Sequence, residues 1–252
     1  MKHSSKYLIL CLVIASLTVP ACVLVDSDHG IDTGHDQHTI IGSGHIVVVS
    51  FSFRDFYRIT LSQSFKATIR KSSSYAVRVE LDDNIQQYLM ARQSGGALSI
   101  GLEDNSYKDI TVNVTIETPD AEYIEASGAG SIRMDGFTVD HDVQIVASGA
   151  TSFSGTLSAR TVGLTLTGSS TVDFDGGATS LNVYGTGATQ LALFDFPVKN
   201  CKVTMIGGSV SNVRVSDDLE VSLTGGSVLR YIGNPATRLL SVTGGSVVQK
   251  VG

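Results

Sequence analysis

From about residue 120 onward, apolar and polar positions alternate with period two. A turn of small residues interrupts the alternation every 18 to 21 residues. The turns read Ser127-Gly128-Ala129-Gly130-Ser131-Ile132, Ser148-Gly149-Ala150-Thr151-Ser152-Phe153, Thr167-Gly168-Ser169-Ser170-Thr171-Val172 and Thr186-Gly187-Ala188-Thr189-Gln190-Leu191. Three copies that read as trimmed follow: Ile206-Gly207-Gly208-Ser209-Val210, Thr224-Gly225-Gly226-Ser227-Val228 and Thr243-Gly244-Gly245-Ser246-Val247. The first glycines stand at 128, 149, 168, 187, 207, 225 and 244, so the steps are 21, 19, 19, 20, 18 and 19. A fixed period near twenty is the mark of a solenoid.

Period-two alternation predicts strand rather than helix. Four residues before the first glycine stand Ile124, Ile145, Leu164, Val183, Val203, Val221 and Leu240, aliphatic in every copy. The columns six before (Glu122 to Arg238) and two before (Ala126 to Val242) turn polar only in the first and last copies, where a stack must be capped. One before the glycine runs a column of small hydroxyls, Ser127, Ser148, Thr167, Thr186, Thr224 and Thr243, broken by Ile206. That column suits a solvated face.

After the turn, Ile132 and Met134, Phe153 and Gly155, Val172 and Phe174, and Leu191 and Leu193 are expected inward. Every copy runs in the same direction, so neighbours pair in parallel, and no copy holds the helix that a βαβ crossover needs. The fold class is therefore all-β: a single-stranded parallel β-helix with coils of about 19–20 residues. A leucine-rich repeat has a similar period, but its Leu-rich consensus and Asn or Cys ladder are absent. The corner glycines fit a turn that needs positive φ or close backbone approach.

Residues 40–120 read as β-rich without the tight repeat. Strands are expected at 46–49, 57–61, 67–70, 76–81, 97–102 and 110–118, and one helix over 83–92 (DNIQQYLMAR). The β-helix domain thus spans 40–252, with irregular coils over 40–120 that begin and cap it and regular repeats over 121–252.

The first 22 residues read as a lipoprotein signal peptide. Lys2 and Lys6 precede an apolar run from Leu8 to Val19 that is too short to span a bilayer. Val19-Pro20-Ala21-Cys22 then resembles a bacterial lipobox, with Cys22 as the lipidated residue. More than one acyl chain gives a firm membrane anchor. Val23 rather than Asp follows, which by the lipoprotein sorting rule points to the outer membrane. Residues 23–39 read as a flexible tether; its acidic stretch resembles surface-export signals of Bacteroidetes lipoproteins. His29, His35 and His38 lie there among Asp26, Asp28, Asp32 and Asp36, without the spacing that fixes a metal geometry. Cys11 leaves with the signal and Cys22 is consumed, so Cys201 stands alone in an inward column, with no disulfide expected.

Three stretches resemble a known family. They are Phe65 to Leu102, with Tyr75-Ala76-Val77-Arg78-Val79, Asp83-Asn84-Ile85 and Gly96-Ala97-Leu98-Ser99-Ile100; Ile116-Glu117-Thr118-Pro119 with Ile124-Glu125-Ala126-Ser127-Gly128-Ala129-Gly130; and Tyr231-Ile232-Gly233-Asn234-Pro235 before Thr243-Gly244-Gly245-Ser246. In that order they resemble the auto-transporter adhesin head GIN domain family of Bacteroidetes envelope proteins. The resemblance implies a right-handed β-helix at the cell envelope and supplies no catalytic residues. The Gly-Gly-Ser turns of the last three copies depart from the family's usual Ser-Gly-Ser-Gly or Ser-Gly-Ala-Gly.

A net charge of −6 gives no basic face for nucleic acid. Motifs for phosphate loops, serine hydrolases, zinc peptidases and Cys-x-x-Cys redox chemistry are absent. No cofactor, metal or catalytic residue is assigned. Asp135 and Asp175 share one coil position two coils apart, about 10 Å, near an inverting-glycosidase separation. With Asp173 they are the candidates if the chain is a carbohydrate-active enzyme. No Arg or Lys column is read beside them. His141, in Asp140-His141-Asp142, reads as part of a solvated loop. The favoured function is a non-catalytic envelope lipoprotein displaying a rigid β-helix for adhesion or ligand binding, to glycan or protein. The alternatives are the β-helix enzyme (a polysaccharide lyase or hydrolase) or a purely structural envelope protein. Ligand-binding residues are not assigned; Tyr123 and Tyr184 are possible stacking groups.

Overall fold

The computed structural model describes residues 39–63 and 65–252. Cys22, the signal segment and the tether histidines lie outside the described residues. The described residues form one compact unit around a single continuous hydrophobic core.

Each repeat contributes two strand segments. The segment before the glycine turn joins a front sheet and the segment after it joins a back sheet, and all repeat pairings are parallel. In the front sheet Ile124, Ile145, Leu164, Val183, Val203 and Val221 stack in register, all buried. In the back sheet Ile132, Phe153, Val172 and Leu191 do the same. The two apolar faces close on each other, which is why a period-two sequence folds as coils rather than as isolated strands.

The corner explains the repeat's small residues. The first glycine of all seven copies has φ between 65° and 104°. A Cβ at Gly168 would lie 2.5 Å from the carbonyl oxygen of Gly149 one coil earlier. Two residues after the first glycine of the five middle copies, Thr151, Ser170, Thr189, Ser209 and Ser227 are buried. Their hydroxyls bond inside the corner: Thr151 donates to the Ser148 carbonyl (2.7 Å), Ser170 to that of Thr167 (2.8 Å) and Ser227 to that of Gly207 (2.7 Å). Thr189 donates to Ser209 (2.9 Å), which donates to the Gly187 carbonyl (3.0 Å). Besides the outward hydroxyl column, a second one therefore runs through the interior.

The last three copies keep a full corner, contrary to their reading as trimmed. Val210 pairs with Gln190 on the outer side, and Ser211 takes the inward place between Leu191 and Leu229. Ser211 is buried there, and its hydroxyl finds no hydrogen-bond partner among the described residues.

The N-terminal half extends both sheets, but not in chain order. Arg58–Ser62 lies between Ala97–Leu102 and Tyr123–Gly128, and Lys66–Lys71 lies between Val112–Thr118 and Ser131–Thr138, all in parallel. The chain builds one coil, passes outward to build the next, then crosses back to start the repeats. The first repeat is thus not a stack end, and exposed Glu122 is a strand-edge residue rather than a cap. Antiparallel strands close this end. Leu89–Ser94 lies on the front sheet; Ala76–Asp82 and then Ile46–Phe51 lie on the back sheet. Where one helix was expected over 83–92, a 3-10 helix covers only Asp83–Tyr88, and Leu89 onward is strand because its backbone pairs with the next segment. Buried Asp82 fixes the junction by accepting from the amides of Gly44 and Thr111, both at 2.6 Å.

Candidate ligand-binding face

Two interleaved columns cross the outer side of the front sheet beside the hydroxyl column. Thr161, Ser180, Asn200, Asp218 and Ala236 form one, in register across five coils. Gly163, Asn182, Lys202, Glu220 and Arg238 form the other. Short side chains in the first column leave a groove of about 500 Å³ against the second, floored by Cys201 and Leu219. A second depression of about 250 Å³ adjoins it around Gly163, Thr165 and Tyr184 and shares Asn182 and Lys202 with it. Lys202 Nζ lies 2.5 Å from Glu220 Oε1 across neighbouring coils. Tyr184 is 45% exposed. The signal for this groove lay five and seven residues before the first glycine in four coils, in columns that the alternation marks as outward but whose chemistry changes from coil to coil. In the last coil a bulge beside Val221 and Ser222 shifts the offsets to six and eight and moves Arg238 from its expected inward column to the outward one.

The sequence-derived candidates fall elsewhere. Asp135 is held by Arg133 (2.8 Å) and Arg70 (3.8 Å), so arginines do accompany it. Asp135 and Gly136 together oppose Thr156 in a bulge. Asp173 and Asp175 are exposed on the back sheet. None of the three aspartates lines either depression of the front sheet. Tyr123 is packed rather than free: the Arg58 guanidinium sits 4.6 Å from its ring centre and its hydroxyl donates to Glu125 at 3.1 Å. Cys201 is buried under the groove, and desolvation pushes its thiol pKa up to about 12.

His141 is not a solvated loop residue. Its Nε2 faces Asp120 Oδ1 at 2.8 Å and its Nδ1 faces the Asp142 carbonyl at 3.0 Å. Both ring nitrogens point at acceptors, so only the imidazolium satisfies both. Burial works to lower its pKa. The bonds to Asp142 and Asp120, with the charges of Asp120 and Glu122, outweigh it and hold the ring above its ordinary value. Among the described residues no three His, Cys, Asp or Glu side chains gather as a metal site.

Solved structures share the arrangement. A putative adhesin from Parabacteroides merdae is 18% identical, with 85% of this chain and 99% of that one covered at a TM-score of 0.63. A putative adhesin from Bacteroides fragilis is 14% identical over 84% of this chain and all of its own (TM-score 0.76). A putative lipid binding protein from Parabacteroides distasonis is 17% identical over 85% of this chain and all of its own (TM-score 0.67). At these identities the likeness is one of fold. No curated protein matches the chain. Residues 55–235 match the family described as putative auto-transporter adhesin, head GIN domain, spanning both irregular and regular coils; the chain belongs to that family.

Proposed function

We propose that this chain is a non-catalytic cell-envelope lipoprotein, anchored to the outer membrane through lipidated Cys22, that holds its β-helix outward as an adhesion or ligand-binding module. The observation that carries this reading is the front-sheet face: a polar groove lying across five coils of one rigid stack. Parallel coils give such a face without mobile loops, which suits contact with an extended ligand. The adhesin description of the family supports an envelope role. The aspartates that a glycosidase reading needs are exposed or tied to arginine, and none of them lines the groove.

The test uses intact cells. Protease shaving is expected to degrade the protein, labelled palmitate to enter the wild type but not a Cys22→Ala variant, and deletion of the gene to reduce attachment to a coated surface. A protein that resists protease on intact cells, with attachment unchanged on deletion, rules the reading out.

A further inference from the structure

We infer that the groove on the front sheet is a cleft for an uncharged oligosaccharide laid along the stack, with Tyr184 as its stacking platform. The inference rests on the proposed binding role and assigns it a site and a ligand class.

Its extent comes first. The groove is flanked by the second depression, and Asn182 and Lys202 stand between the two and line both. It crosses five coils, from Thr161 to Ala236, or roughly 20 Å at the usual spacing between strands. One coil rise is close to the length of one pyranose in an extended chain. Successive sugars would therefore meet successive coils in similar surroundings. The volume of the groove alone, about 500 Å³, is that of an ordinary small-ligand cleft.

The charge pattern selects the ligand class. Lys202 and Arg238 are balanced by Asp218 and Glu220, and Lys202 with Glu220 is already an ion pair. A polyanion would meet two carboxylates, and a cation would meet two bases. An uncharged polyol meets neither penalty. Asn182 and Asn200 each offer a donor and an acceptor, the combination that a vicinal diol can use on both sides. The ion pair lies open to solvent, with Lys202 58% exposed, so it contributes little to folding and remains available as a fixed polar pair.

Tyr184 supplies the apolar half of the recognition. The residue is 45% exposed, with Thr165 opposite it on the neighbouring strand and the Gln144 side chain lying over Gly163 and donating to the Thr165 hydroxyl at 3.2 Å. Aromatic surface of this kind packs on the C–H face of a sugar while amides take the hydroxyls. Tyr123, on the same face, is already covered by Arg58. This places the stacking position at Tyr184.

The experiment titrates residues 37–252, which hold the whole core, with cellohexaose, maltohexaose, xylohexaose and chitohexaose, using calorimetry and NMR. An oligogalacturonate hexamer is the anionic control. At least one neutral hexasaccharide is expected to bind with a dissociation constant of about 1 mM or better, and the anion to bind more weakly. Tyr184→Ala and Asn200→Ala should each weaken binding about tenfold with an unchanged melting temperature. Ser154→Ala, on the back sheet, should leave binding as it is. Failure of all four neutral sugars to bind at millimolar concentration overturns the inference, as does binding indifferent to both groove substitutions. If attachment is lost on gene deletion yet the sugars do not bind, the groove assignment fails and the adhesive role stands. If the sugars bind but cells hold the protein beyond protease reach, the reverse follows.

Discussion

Val183 and Val203 sit on neighbouring coils in the column that the alternation marks most clearly, at 3% and 0% exposure. An aspartate at either place would bury an unpaired carboxylate, at a cost of several kcal/mol. Val203→Asp is therefore expected to lower the melting temperature by about 10 °C or more, or to prevent folding, as read by circular dichroism. A melting point within a degree or two of the parent would refute the inward assignment. Gly168→Ala is a sharper probe of the corner. Its φ of 77° and the Gly149 carbonyl oxygen at 2.5 Å from the added carbon should cost about 1–3 kcal/mol, a shift of several degrees in the same melt. Cys201 gives a chemical readout of the same packing. With its thiol buried and its pKa near 12, it should not react with a disulfide reagent at pH 8 in the folded 37–252 fragment, and should react once denaturant opens the stack. Rapid labelling of the native protein would contradict the burial.

At the scale of elements, the Asp120–His141 tie joins the loop before one front-sheet strand to the loop before the next. Because the ring's pKa is raised in the fold, its stabilisation is fully present below the ordinary histidine value of 6.5. It is lost as pH rises through the raised value. His141→Gln should therefore melt below the parent at pH 5.5, with the gap narrowing by pH 8.5; a constant gap would assign the residue a packing role only. This contact was not legible in the sequence, since Asp120 and His141 are 21 residues apart and nothing in either loop marks them as neighbours. The repeat strands were legible because alternation and a glycine corner recur together. The buried hydroxyl column was not, because Thr151 or Ser170 reads as a surface residue until the carbonyls inside the corner are seen to need donors. The expected helix takes in residues 89–92 because Leu, Met, Ala and Arg favour one, and the antiparallel pairing of Leu89–Ser94 with Ala97–Leu102 overrides that preference.

The whole molecule differs most from a simple repeat array at its N-terminal end. In such an array each coil leans only on its chain neighbours, so trimming from either end should be equally mild. Here the coil of residues 58–71 is clamped between a later coil and the first repeat, and the crossing back happens over residues 119–122. The alternation in residues 40–120 showed strands but could not show their order, because these segments lack the turn that sets neighbours in the repeats. Ile124, Ile132 and Met134 of the first repeat stack directly on Ile59, Ala67 and Ile69. Removing residues 39–120 would bare that layer. At the other end Arg238, Leu239 and Val247 are exposed and Val242 and Val248 only half-buried, so removing residues 234–252 uncovers a smaller apolar surface. The expected result is an asymmetry. A fragment ending at 233 should be soluble and melt cooperatively a few degrees below the parent, while one beginning at 121 should aggregate or lack a cooperative melt. Circular dichroism and gel filtration of the two fragments decide it. If the fragment from 121 folds as well as the fragment ending at 233, the interleaved N-terminal coils are an addition to the stack rather than its foundation.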